Sequence, residues 1–324
     1  MPNGRFLITG ALGAIGVWTM RSLLERGHEI VAFDLGGAAH RLPLALSEEQ
    51  QNAVQHVRGD ITDLAALEDA LDRHAVTGVI HLAALQVPFV RERPPLGAHV
   101  NVVGTVNVLE AVRRRANRIG HLVYASSIAV YGKQASLSGE DVPGTLYGVF
   151  KRADEGTALR YFEDFGVSSV GLRPHTVFGP ARDQGLTSAP TKAMLAAAAG
   201  VPFHIPFGGS AQFQYAPDVG EAFARAALLE GYEGASVHNL DGEVAPIAEV
   251  VRRIDEVVPG ATITCAPDAL PFPSEVDARS FAGLLGGPVC RPLAEGVTDA
   301  VQRFERLLQD GLVAAPEPAA APAR

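Results

Sequence analysis

Tyr147 and Lys151 stand four positions apart in this sequence, and on a helix that spacing puts both side chains on one face. An ammonium beside a phenol favours the phenolate, and a phenolate is a usable general base for a hydroxyl proton. Upstream, Leu122-Val123-Tyr124-Ala125-Ser126-Ser127 reads as a buried strand ending in two hydroxyls, at the end of the strand where ligands bind in open parallel sheets. Near the N-terminus, Thr9-Gly10-Ala11-Leu12-Gly13-Ala14-Ile15-Gly16 joins an apolar strand directly to a helix. Glycines there permit a tight turn and let a pyrophosphate approach the N–H groups of the helix N-terminus, where the dipole favours an anion. Asp34 closes the second apolar run. A carboxylate at that point accepts from both hydroxyls of an adenine ribose and repels a 2′-phosphate, which selects NAD over NADP. Together these residue types point to the interconversion of an alcohol and its ketone.

The elements that must position these groups alternate regularly. From Arg5, the short apolar runs RFLITG, EIVAFD, AVQHVRGD, GVIHLAA and HLVYASS are separated by helix-period stretches. Val- and Ile-rich runs that alternate with helices indicate βαβ units and a parallel sheet buried on both faces. The expected fold is α/β, a doubly wound parallel sheet of the Rossmann type, with a smaller, partly discontinuous C-terminal substrate domain. After Arg173, Pro174, Pro180, Pro190, Pro202, Pro206 and Pro217 break the chain into short pieces. The expected division is therefore an NAD-binding domain over 1–173 and a mostly substrate-binding region over 174–312. EAFARAALLE and SVHNL are expected to return to the sheet as a helix and a strand near 218–240. The tail over 313–324, VAAPEPAAAPAR, has no apolar periodicity and is expected to be disordered.

Composition narrows the class further. With 324 residues and 47% hydrophobic content, the chain can build a sizeable core. A net charge of -9, from 27 basic and 36 acidic residues, repels a phosphate backbone, so no nucleic-acid partner is expected. The one basic cluster, Arg113 to Arg115, suits a solvated helix end. Cys265 and Cys290 lack CxxC spacing and a surrounding His cluster, so neither a disulfide framework nor a metal site is expected. No run approaches the ~18 apolar residues of a membrane span, and the N-terminus lacks the pattern of a signal peptide. A soluble, cytoplasmic protein without a membrane partner is expected.

The ordered series TGALGAIG, Asp34, RGDITD, IHLAA, NVVGTVNVLEA, SSIAVYG, YGVFK and LRPHTVFGP resembles the motif series of the extended short-chain dehydrogenases, the NAD-dependent epimerase/dehydratase family. The resemblance covers most of the chain. It implies catalysis by Tyr147, Lys151 and Ser127, and an NAD site in which Gly10, Gly13, Ala14, Ile15 and Gly16 hold the pyrophosphate and Asp34 the adenine ribose. It further implies adenine contacts from Asp60 and Ile61, a loop under the cofactor made by Leu82, Ala83 and Ala84, and cofactor contacts from Ala125, Tyr147, Lys151 and Pro174. Asn101 matches the Asn of the family's NxxGT helix, with an orienting or structural role. The substrate pocket is expected near Gln86, Ser126, Ser127, His175, Arg182 and Gln212, with Lys192, His204 and Gln214 in the same region. The two helices around Asn101 to Arg115 and Tyr147 to Phe162 imply a homodimer.

Two departures bear on the substrate. Members that bind nucleotide sugars carry Asn where Thr176 stands, and an Arg-Asp-Phe before the position of Tyr215, where this chain reads Ala211-Gln212-Phe213. Gln cannot supply the charged, bidentate recognition of a diphosphate that a guanidinium provides. The expected substrate is a free sugar, sugar acid or similar polyol, oxidised at a secondary alcohol. The alternatives are an NAD-dependent epimerase that returns the hydride, and a non-catalytic NAD-binding protein on the same fold.

Overall fold

The computed structural model describes residues 4–132, 142–270 and 272–316. Seven strands form one fully parallel sheet: β1 (Arg5–Thr9), β2 (Glu29–Asp34), β3 (Gln55–Arg58), β4 (Gly78–His81), β5 (Leu122–Ala125), β6 (Ser169–Arg173) and, after a long excursion, β10 (Ala235–Asn239). Their spatial order is β10-β6-β5-β4-β1-β2-β3. Side chains alternate between two buried faces, as the two-residue period of a strand requires. Phe6 and Ile8 of β1 enter one core, and Leu7 enters the other. With helices on both sides, the expected doubly wound sheet is present.

The excursion between β6 and β10 carries β7 (Thr176–Phe178), β8 (Phe203–Ile205) and β9 (Ser210–Tyr215), and β11 (Glu243–Pro246) and β12 (Ile263–Cys265) follow it. These make a three-stranded sheet, β11-β9-β7, and a two-stranded pair, β12-β8. The helix Ala216–Ala227 returns to pack on the first helix, Ala14–Leu24, before β10 joins the large sheet beside β6. The Trp18 indole N–H of the first helix donates to the carbonyl of Pro180 at 2.9 Å, which ties the two parts together.

Arg113, Arg114 and Arg115 end their helix in a web of ion pairs to Glu110, Glu68 and Asp72, so the cluster is neutralised. Both cysteines are free thiols. Among the described residues no helix is long and apolar enough to cross a membrane. Residues 313–316 of the tail carry no helix or strand, and 317–324 lie outside the described residues.

Candidate active site

In a parallel sheet every strand delivers its carboxyl end to the same edge, and most of the residues singled out above sit on that edge. Gly10 follows β1, Leu82 to Ala84 follow β4, Ser126 and Ser127 follow β5, and Pro174 follows β6. They line two adjoining cavities. The first, of about 340 Å³, is bounded by Gly10, Gly13, Ala14, Ile15, Gly16 and Asp34 together with the Leu82 to Ala84 loop. The second, of about 160 Å³, is bounded by Ser126, Ser127, Tyr147, Lys151, Pro174 and His175 among others. Leu82, Ala84, Ala125, Gln86 and Arg182 face both.

The first cavity has the features of a dinucleotide cradle. The backbone of Gly10 has φ +64°, and a Cβ there would lie 2.7 Å from the Ala83 backbone. A Cβ on Gly16 would lie 2.4 Å from the Ala11 carbonyl, so only glycine lets helix and turn approach this closely. The first intrahelical bond is Val17 N–H to the Gly13 carbonyl at 3.1 Å, so the N–H groups of Ala14, Ile15 and Gly16 precede it and are available to an anion. The Asp34 carboxylate is fixed at the cleft edge because one oxygen accepts from Leu12 N–H at 3.1 Å and the other from Gly36 N–H at 3.0 Å. Each oxygen keeps acceptor capacity for a ribose hydroxyl.

The second cavity depends on a helix start. Thr145 caps the helix Leu146–Phe165 by accepting from Gly148 N–H, which places Tyr147 in the first turn, where the helix dipole favours negative charge. Lys151 follows one turn later with its side chain 3% exposed, donating to the Ala125 carbonyl at 2.8 Å and pairing with Asp154 at 3.3 Å. The chain brings the Ser127 turn against this helix because residue 148 is glycine; a Cβ there would strike the Ala129 carbonyl at 2.0 Å. Ser127 accepts from Ala129 N–H at 3.2 Å. Its own O–H has no protein acceptor among the described residues and can donate to a substrate oxygen.

A sequence profile described as the NAD dependent epimerase/dehydratase family matches residues 6–237. The chain belongs to this family. Its cofactor is therefore NAD, and the cradle described above fits that group on its own geometry. Over 183 residues the chain is 35% identical to UDP-glucuronate 4-epimerase 2 of Arabidopsis thaliana, a match covering 54% of this chain and 42% of that protein. The chain thus spans less than half the length of that curated relative. The Thermus thermophilus UDP-glucose 4-epimerase, solved as a complex with NAD, superposes with a TM-score of 0.78 at 27% identity, covering 93% of this chain and 98% of that one. A partial-consensus L-threonine 3-dehydrogenase superposes at 0.81 with 24% identity, covering 93% and 99% of the two chains, and that likeness shows the fold alone.

Within this family member, several expected residues are not at the cavities. Asp60 caps its own turn, accepting from the N–H and hydroxyl of Thr62, and Ile61 is buried in the core against Gly104; neither lines the cofactor cavity. Asn101 does not touch the cavities either. It is fully buried in a π-helical turn, His99–Val103, and clamps Leu85 by accepting from its N–H at 2.7 Å and donating to its carbonyl at 2.9 Å. Its role is to hold the loop that carries Leu82 to Gln86. Gln212 lines neither cavity: its amide is engaged by the Leu240 carbonyl and Val276 N–H beside a separate surface cleft. Gln214 holds the backbone N–H of His175 at 2.8 Å, while Lys192 and His204 line neither cavity.

Two residues reach the cavity with their polar atoms already engaged. Ser126 donates to Glu155, which in turn holds Arg173 through two bonds of 2.7 and 2.6 Å. His175 has Nε2 on the Pro273 carbonyl at 2.8 Å and Nδ1 on the Thr176 hydroxyl at 3.1 Å, and burial pushes its pKa down.

The sequence reading missed a buried polar chain beneath both cavities. Thr9 accepts from Leu82 and Ala83 N–H and bonds His81 Nδ1 at 2.7 Å; His81 Nε2 bonds the Thr105 hydroxyl at 3.1 Å, and Thr105 donates to the Asn101 carbonyl. Burial, reinforced by the Lys151 charge, lowers His81 to about 3. Burial likewise raises Asp154 to about 6, against the opposing pull of Lys151. Asp154 carried a sequence signal, since it lies three residues after Lys151 and thus on the same helix face. His81 and Thr105 carried none, because nothing in their spacing marks them as partners.

Proposed function

We propose that this chain oxidises a secondary alcohol of a small, free hydroxylated substrate to the ketone. Bound NAD supplies the acceptor for the hydride leaving the carbinol carbon. Tyr147 takes the hydroxyl proton, Ser127 donates a hydrogen bond to the same oxygen, and Lys151 would hold the nicotinamide ribose. Pro174, which lines the same cavity, would pack beside the nicotinamide. In this reading Asp34 carries the adenine ribose and the Gly10 to Gly16 turn the pyrophosphate.

The observation that carries the reading is that, among the described residues, the catalytic cavity is small and β9 offers no cation to a diphosphate. The cavity above Tyr147 measures about 160 Å³, below the ~300–1,000 Å³ of sites for drug-sized ligands. Position 211 is a buried alanine, Gln212 is spent on backbone, and Arg291 is committed to Asp218 through bonds of 3.0 and 2.7 Å. A net dehydrogenase has no need of a nucleotide handle to retain an oxidised intermediate. The second reading, an epimerase without net redox, is favoured by the 35% identity to a UDP-glucuronate 4-epimerase.

The test is to incubate purified protein with NAD and a panel of sugars, sugar acids and polyols and to follow reduced-nicotinamide absorbance. Stoichiometric accumulation that disappears in Tyr147→Phe is expected. Conversion to a stereoisomer without net reduced cofactor, or a rise in Tm on adding UDP alone, would transfer the assignment to the epimerase.

The assembly belongs to the same reading. Val103, Leu146, Val149, Leu159 and Phe165 are each 41–55% exposed on two adjacent helices, joined where Arg113 lies over the Phe165 ring. Pairing of these helices with a second copy would cover them, and a monomer by sedimentation would count against it.

A further inference from the structure

Arg182 lines both cavities, and its guanidinium has no carboxylate partner among the described residues. Nη1 meets the Gln86 amide oxygen at 3.4 Å and Nη2 the Thr187 hydroxyl at 3.1 Å, while Nε is shielded from solvent with no partner among the described residues. The neighbouring carboxylate does not help, because Asp183 is held by Arg41 at 2.7 and 3.0 Å and by His40 at 3.1 Å. A half-buried cation with only neutral contacts among the described residues favours an anion beside it; desolvation pulls its pKa down. The buried cations beside it are both paired, Lys151 with Asp154 and Arg41 with Asp183.

The loop is built to keep Arg182 in place. Gly179 has φ +117°, Ala181 +74° and Gly185 +95°, so three of seven consecutive residues lie where L side chains are disfavoured, and Ala181 has no glycine excuse. A Cβ on Gly185 would meet the Gln86 amide oxygen at 2.0 Å and Arg182 Nη2 at 3.1 Å. Asp183, locked to Arg41, anchors the loop on the cofactor half.

We infer that Arg182, with Gln86 and Thr187 beside it, forms a subsite for the carboxylate of the substrate, so that the enzyme acts on a hydroxy acid in preference to a neutral polyol. This rests on the proposed oxidation at Tyr147 for the position of the carbinol. Thr187 and Tyr147 line only the catalytic cavity, so the Nη2 end faces the reacting centre, whereas an anion on the cofactor already has the N–H groups of Ala14 to Gly16. A planar guanidinium takes a carboxylate through two parallel bonds.

The experiment measures thermal shifts of the NADH-saturated protein with gluconate, glucuronate and threonate beside glucitol, glucose and threitol, for the unmodified chain, Arg182→Gln and Arg182→Lys. At least one acid should raise Tm where its neutral counterpart does not. Arg182→Gln should weaken that acid roughly 10- to 100-fold, the usual loss of a charge-assisted hydrogen bond, and Arg182→Lys less, while NADH affinity stays within a few-fold. Neutral polyols stabilising as well as the acids, no acid stabilising the unmodified chain, or a tenfold or greater loss of NADH affinity in both variants, which would mark the cofactor pyrophosphate as the anion, would each overturn the subsite. Binding and turnover separate the two proposals. NAD-linked oxidation of neutral polyols alone sinks the carboxylate subsite and leaves the dehydrogenase; acids that bind through Arg182 but never reduce NAD do the reverse.

Discussion

The cofactor cavity and the substrate cavity share one sheet edge yet are made of different materials. The first is mostly backbone: a glycine turn, three N–H groups at a helix start, and one carboxylate held by the backbone N–H groups of Leu12 and Gly36. The second is mostly side chains whose partners lie far away in the chain, 96 residues for Arg182 and Gln86 and 98 for His175 and Pro273. A cradle of backbone tolerates little change at glycine. An assembly of side chains can be re-aimed by single substitutions, so the two should fail differently.

The largest expected separation between them comes from Tyr147→Phe. Turnover on an identified substrate should fall by ~10² or more, the usual contribution of a positioned general base, while NAD affinity by calorimetry stays near that of the unmodified protein. Near-normal turnover would break the mechanism and leave the cofactor site standing. Gly16→Ala should act the other way. Its Cβ, 2.4 Å from the Ala11 carbonyl, forces turn and helix apart at about 1–3 kcal/mol, as overpacking does; lowered Tm and weaker NAD binding should appear together, and unchanged NAD affinity would show that the close approach is dispensable. Asp34→Ala should narrow the preference for NAD over NADP by roughly tenfold or more, the worth of a charge-assisted hydrogen bond, and equal affinity of the unmodified chain for both cofactors would refute the ribose assignment.

Smaller effects probe the polar chain beneath both cavities. Because His81 is held neutral down to about 3 against the ordinary 6.5, the unfolded chain takes up a proton that the folded chain refuses over that window. Stability should fall as pH drops from 6.5, and His81→Asn should flatten that part of the slope in urea titrations at pH 7 and 5. Asp154 slopes oppositely: raised to about 6 from 3.8, it gains a proton in the folded state first, so acidification through that range relieves a cost. The smallest effect is expected from Gln212→Ala, which should lower stability by ~1 kcal/mol through its lost hydrogen bonds and leave turnover within about twofold. A tenfold loss of turnover would return Gln212 to the substrate site.

Legibility followed the same division. Gly10, Gly13, Ala14, Ile15, Gly16 and Asp34 could be read because a turn between a strand and a helix uses local residues for local geometry, and the sheet edge then gathers them. Tyr147 and Lys151 could be read because helix spacing fixes their common face. Gln212 was misplaced because its strand presents it to the Leu240 carbonyl, and a strand's facing is set by its partners, here β7 and β11. Asp60 and Asn101 sit beside the right loops, but one caps its turn and the other clamps Leu85, choices that depend on which backbone groups arrive next to them.

By itself, then, the sequence determined the doubly wound sheet, the glycine turn at the first helix, the acidic residue at the edge of its cavity, and the Tyr and Lys four positions apart on one helix, because each follows from a period or spacing of at most a few residues. Only the tertiary structure decided which polar side chains face the substrate. Asp183 is drawn to Arg41 and Gln214 to the His175 backbone across long stretches of chain, and Arg182 is the cation at the cavity that, among the described residues, those pairings leave without a carboxylate.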